Sequence, residues 1–92
     1  MRLSSTQKDI LFILYAIEDK GNINPVPGMR ILEIINNGRN TDIYDTNFRT
    51  SCHKLNENGM IKKYRSSQSL NLAWRLSDEG RAKAIEIYNN RR

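Results

Sequence analysis

The chain has 92 residues, 38% of them hydrophobic and 27% charged, with a formal net charge of +5. That composition excludes a disordered chain and suits one domain, residues 1–92, around one modest core. The longest apolar run, Ile10 to Ile17, is eight residues and contains a tyrosine, far short of the roughly 20 that cross a bilayer. It also lies too far from a basic start to read as an export signal, so a cytoplasmic protein without membrane association is expected.

Ser4, Ser5 and Thr6 offer capping hydroxyls just before that run, and the spacing predicts a first helix from about Ser5 to Lys20. Ile10, Ile13, Leu14 and Ile17 repeat at helical spacing and form the expected core stripe. Leu11 and Tyr15 fall on its flank and Phe12 nearly opposite. Either the helix is covered on several sides or that flank is a subunit contact. Lys20-Gly21-Asn22 supplies a stop.

Asn24-Pro25-Val26-Pro27-Gly28 cannot be helix interior, and an extended segment around Asn22 to Val26 reads as a short edge strand. A second helix is expected from about Gly28 to Asn37, with Met29, Leu32 and Ile35 at helical spacing and Ile31 and Ile34 beside them. Asn36-Asn37-Gly38 ends it, and the polar run to Asp42 reads as a turn.

Asp42 or Asp45 caps a third helix running to about Asn58, with Gly59 as its stop. Phe48, Cys52 and Leu55 make a narrow apolar face, and the remaining positions are polar or charged. Cys52 and His53 are the single cysteine and the single histidine, so an internal disulfide is impossible and a four-ligand zinc site is not expected. Neighbouring residues on a helix point in different directions, which disfavours a Cys-His nucleophile pair and leaves a core cysteine beside an exposed histidine. With no phosphate loop and no Ser/His/Asp grouping, neither enzymatic activity nor a cofactor is expected, and no small-molecule effector is evident.

The period then changes. Met60 to Arg65 reads as extended, Ser66-Ser67-Gln68-Ser69 as a turn, and Leu70, Leu72, Trp74 and Leu76 alternate along a second strand. Ser77 caps a last helix to about Asn89, with Asp78 and Glu79 in its first turn and Ala84, Ile85 and Tyr88 on one face. Three helices, a two-stranded wing and a C-terminal helix make an α+β, mostly α fold: a winged helix with a three-helix helix-turn-helix core. Every stop and change of period falls where that fold needs it.

The segments LNENGMI at Leu55 to Ile61 and WRLSDEGR at Trp74 to Arg81 resemble the L-x-x-x-G-L-I, wing, x-x-L-T-x-x-G-R pattern of bacterial winged-helix regulators of the MarR and PadR kind. The motif covers about residues 44 to 84 and is more specific for the fold than for any one family. Two departures stand out. The stretch between the second and third helices, with Gly38, is longer than the three or four residues usual for the motif's turn. The long added helices of many MarR-type dimers are not expected here, so their dimer mode does not carry over.

The resemblance implies a sequence-preferring protein for double-stranded DNA, of transcription-regulator type. The third helix, about 45–58, would enter the major groove, with Thr46, Asn47, Arg49, Thr50 and His53 reading bases. Arg39, Lys54, Lys62, Lys63 and Arg65 would bind phosphates, the last three from the wing at about 60–76. For five such contacts the log-log salt slope would be about −4.5. Arg75, Arg2 and the Arg91-Arg92 tail are further cations, and charge on the hairpin also serves to protect a sheet edge. Trp74 alternates with leucines and reads as core; Tyr64 stays open. A homodimer on a palindromic site is expected, with Leu11, Tyr15, Ile87 and Tyr88 as candidate contacts. The alternatives are a winged-helix protein-interaction module or a plasmid or phage replication or partition factor.

Overall fold

The computed structural model describes residues 2–38, 45–65 and 72–91. Its elements run α1 (Ser5–Asp19), β1 (Val26–Pro27), α2 (Gly28–Asn37), α3 (Asp45–Glu57), β2 (Ile61–Arg65), β3 (Leu72–Leu76) and α4 (Asp78–Asn90). Arg39, Asp42, the Ser66–Ser69 turn and Leu70, all assigned from sequence, lie outside the described residues.

The helix ends follow local chemistry. Ser4 and Gln7 form a reciprocal capping box: the Gln7 amide donates to Ser4 Oγ at 3.2 Å and the Ser4 amide to Gln7 Oε1 at 2.7 Å. At the end of α3, the Met60 amide donates to the Leu55 carbonyl (2.9 Å) and the Gly59 amide to that of Asn56 (3.1 Å). This paired closure needs a left-handed residue between them, and Gly59 supplies it at φ +76°.

The sheet has three strands in the order β1-β3-β2, all antiparallel. The expected two-stranded wing therefore gains a third strand: the edge strand expected around Asn22 to Val26 is instead Val26 and Pro27, which pair with Trp74 and Ala73. Pro27 is tolerated because β1 is an edge, where a missing donor breaks no ladder on its outer side. The centre of the sheet is thus β3, whose Trp74 and Leu76 are both buried.

The core joins Ile10, Leu11 and Leu14 of α1 to Ile31 and Ile35 of α2, Phe48, Cys52 and Leu55 of α3, and Ala84 and Ile87 of α4. Four expected faces need correction. In α1 the buried stripe is Gln7, Ile10, Leu11 and Leu14, with Ile13 and Ile17 only half-buried. The cause is that α1 packs against α2 and α3 and also against α4, which rotates the most covered line. In α2 the buried line is Ile31 and Ile35, one turn apart, and Met29 is 64% exposed. In α4 Gly80, Ala84 and Ile87 face inward and Ile85 is exposed.

The fourth correction concerns the candidate dimer contacts. Leu11 is fully buried and Ile87 nearly so, so neither is free to line a subunit face. The two candidate faces meet each other within one chain. Tyr88 stacks on Phe12 (centroids 5.7 Å apart) and meets Tyr15 edge-on at 5.4 Å. Arg91 closes that seam, 4.9 Å over the Phe12 ring and 2.8 Å from Asp9. Further along it, Arg81 grips both carboxylate oxygens of Glu18 and holds Asp78 at 3.0 Å. The arginine of the G-R motif is therefore a tie between α4 and α1.

Candidate nucleic-acid interface

The interface begins with the division of α3. Its inner line is Phe48, Ser51, Cys52 and Leu55, all buried. Its outer face carries Thr46, Asn47, Arg49, Thr50, His53 and Lys54, all exposed. The helix can hold this polarity because each inner residue falls three or four positions from another of the set. Two hydroxyls are turned onto their own backbone: Thr50 donates to the Thr46 carbonyl and Ser51 to that of Asn47, both at 3.0 Å. Both hydroxyl protons are thus used locally, on the exposed Thr50 and on the buried Ser51.

Arg49 lies 2.9 Å from Asp45, one turn earlier, with the two side chains 71% and 49% exposed. An exposed i,i+4 pair contributes little, so the guanidinium is steadied without being locked and can exchange the carboxylate for another planar acceptor. The edge of the His53 ring meets the Trp74 ring, with centroids 5.5 Å apart and planes at 82°. That contact fixes the imidazole beside the wing. Sequence reasoning placed Trp74 in the core correctly, but the contact with His53 is non-local and had no signal in the chain.

Between α3 and the sheet lies an open cleft of about 390 Å³, lined by Gly28, Met29, Phe48, Arg49, His53, Arg65 and Trp74 among others. Gly28 and Met29 were not anticipated there. They arrive because β1 docks on β3 and places the start of α2 against the Trp74 indole; a side chain at Gly28 would meet the indole nitrogen at 3.3 Å.

The register of the wing sorts its cations. Directly opposed residues share a sheet face. Ile61 opposes Leu76, Lys63 opposes Trp74, and Arg65 opposes Leu72, so Lys63 and Arg65 lie on the face turned to α3. Lys62 opposes Arg75 and Tyr64 opposes Ala73, on the reverse face. Three cations read from sequence as one set are thus split. Arg65 joins Arg49 and His53 around one cleft, Lys63 stands on the same side, and Lys62 points away because strand side chains alternate.

Cys52 is fully buried beneath this surface, and burial pushes its thiol up to about 12. In the folded protein it is therefore protonated and inert at neutral pH. Iodoacetamide at pH 8 is expected to leave the native protein unlabelled while modifying it fully in denaturant, as read by mass. Labelling of the native state at the rate of a free thiol would show that α3 is not packed as described. The sign with pH follows from linkage. A thiol whose folded value is raised contributes its full stability below the unfolded value of 9.0 and loses it as pH rises towards 12.

Among the described residues no three of His, Cys, Asp and Glu come together as a metal set, and no helix is long and apolar enough to cross a membrane.

No protein-family model matches the chain, and no curated relative does. Solved structures do. The zinc-responsive MarR family member ZitR of Lactococcus lactis superposes over 99% of this chain and 52% of its own, with TM-score 0.66 and 26% identity. The adhesin competence repressor AdcR of Streptococcus pyogenes covers 98% of this chain and 57% of its own, with TM-score 0.75 and 14% identity. RosR of H. salinarum covers 97% and 74%, with TM-score 0.78 and 16% identity. The chain spans about half the length of ZitR and AdcR. Four helices around a three-stranded antiparallel sheet thus form the winged helix-turn-helix fold that this chain shares with the MarR-family regulators.

Proposed function

We propose that this chain is a sequence-preferring, double-stranded DNA-binding protein of cytoplasmic transcription-regulator type that does no chemistry on its target. The observation that carries this reading is the outer face of α3: exposed along its length and bearing Asn47, Arg49, His53 and Lys54 over a fully buried apolar line. A helix with this division fits the major groove. Arg49 would pair with guanine, Asn47 with adenine, and Thr46, Thr50 and His53 would complete base reading. Lys54, Lys63 and Arg65, with Arg39 from the preceding segment, would bind phosphates and fix the register. The likeness to AdcR, a repressor, and to ZitR supports a regulator. A homodimer would place two α3 helices about 34–36 Å apart on a palindromic site, through contacts other than Leu11 and Ile87.

Selection from random duplexes at two salt concentrations tests this reading, with enrichment of one motif in inverted half-sites as the expected result. Arg49→Ala is then expected to relax preference at one base pair and to weaken binding to the selected site by about 1–3 kcal/mol. An unchanged motif would remove α3 as the reading element, and absence of salt-sensitive duplex binding would remove the function.

A further inference from the structure

The reverse face of the wing holds a feature that DNA reading by α3 does not use. Lys62 and Arg75 oppose each other across β2 and β3. Together with Tyr64, Asp78 and Arg81 they line a depression of about 110 Å³ between the sheet and the start of α4. The Nε of Arg75 is buried and has no hydrogen-bond partner among the described residues. A buried donor left unpaired is rare in a folded protein and calls for an acceptor. The charges around it are unequal. Arg81 is already engaged by Glu18 and by Asp78, whereas neither Lys62 nor Arg75 has an acidic partner among the described residues. Two cations without an acidic partner among the described residues, Lys62 and Arg75, and the Tyr64 phenol therefore border one small space. The depression is small beside the roughly 300–1,000 Å³ of pockets that enclose a drug-sized ligand.

We propose that this depression is a binding site for a single phosphate group. A tetrahedral oxyanion presents acceptors in several directions at once, so it can take the Arg75 Nε–H, the Lys62 ammonium and the Tyr64 hydroxyl together. The phosphate can come from free inorganic phosphate or from a nucleic-acid backbone. The site stands on its own residues, whether or not α3 reads DNA, and it lies on the opposite sheet face from Arg65 and Lys63.

The test follows the Arg75 Nε–H resonance of the 15N-labelled full chain, assigned with Arg75→Lys. Inorganic phosphate is titrated at constant ionic strength in one arm and a short duplex of arbitrary sequence in the other. The resonance is expected to shift with phosphate, and Lys62→Ala, an exposed substitution that leaves the core intact, is expected to weaken the response on the order of tenfold or more. A shift with the duplex alone, persisting in Arg49→Ala, would identify the backbone as the source and separate this site from the reading helix. A resonance unmoved by either form of phosphate would overturn the proposal, and so would an equal response in Lys62→Ala.

Discussion

Gly80→Ala is expected to lower the melting temperature by about 12 °C or more, or to abolish folding. A β-carbon at this position would sit 1.8 Å from the Met60 carbonyl oxygen and 2.7 Å from the carbonyl carbon, and both are backbone atoms with no rotamer to change. Relief therefore requires α4 and the start of β2 to separate. That separation pulls on a knot of hydrogen bonds: the Ser77 amide donates to the Met60 carbonyl at 3.0 Å, the Ser77 hydroxyl lies 2.9 Å from the same oxygen, and the Gly80 amide donates to Ser77 Oγ at 3.0 Å. Overpacking of this kind costs about 1–3 kcal/mol, occasionally more, and each lost hydrogen bond adds about 0.5–1.5 kcal/mol. A total of about 3 kcal/mol or more is a large part of the roughly 5–15 kcal/mol that holds a domain together, and it corresponds to the melting shift given above. Gly38→Ala is the control, because among the described residues its β-carbon would meet only the Ile35 carbonyl, at 3.7 Å. It is expected to move the melting temperature little. Thermal unfolding followed by circular dichroism reads both, and a Gly80→Ala protein that melts with its parent would refute the described contact of α4 with Met60.

The second large effect is on DNA affinity as salt is raised. Four cations remain as phosphate contacts: Lys54 on α3, Lys63 and Arg65 on the sheet face turned to it, and Arg39, which lies outside the described residues and is kept from its sequence position. Neutralising four phosphates releases counterions with a log-log slope of about −3.6. A fourfold rise in salt should then weaken binding by about 150-fold, with the slope measured by fluorescence anisotropy on a fixed duplex. Lys63→Ala should weaken all sequences alike and flatten the slope by about 0.9. The split of the wing lysines makes this a sharp measurement. If Lys62→Ala flattens the slope as much as Lys63→Ala does, the duplex reaches both faces of the hairpin, and the value should approach −4.5. If Lys63→Ala leaves the slope unchanged, the wing does not lie along the backbone.

Much of the protein is written locally. The boundaries of α2, Gly28 to Asn37, and the start of α1 follow from Pro27-Gly28 and from Ser4 with Gln7. The stop of α3 follows from Gly59, and the start of α4 from Ser77. These signals act over three or four residues, which is the range of a helix cap or a turn. The division of α3 is legible for the same reason: Phe48, Cys52 and Leu55 recur at the helix period and leave the polar residues the outer face. The G-R pair after the wing is also visible in the chain, but not its reason, since the Met60 carbonyl that excludes a side chain at Gly80 and the Glu18 carboxylate that takes Arg81 come from elsewhere.

The sequence by itself determined, to within a residue or so, where the helices begin and end and which side of α3 is polar, because caps, turns and periodicity are properties of neighbouring residues. Only the tertiary structure decided which line of α1 is most deeply covered, since that depends on α2, α3 and α4 closing around it. It also decided that Tyr15 and Tyr88 meet each other within one chain. The same holds for β1 pairing with β3 and for Lys62 and Lys63 facing opposite ways. Each of those outcomes is a contact between segments distant in the chain, set by register and packing that no local pattern encodes.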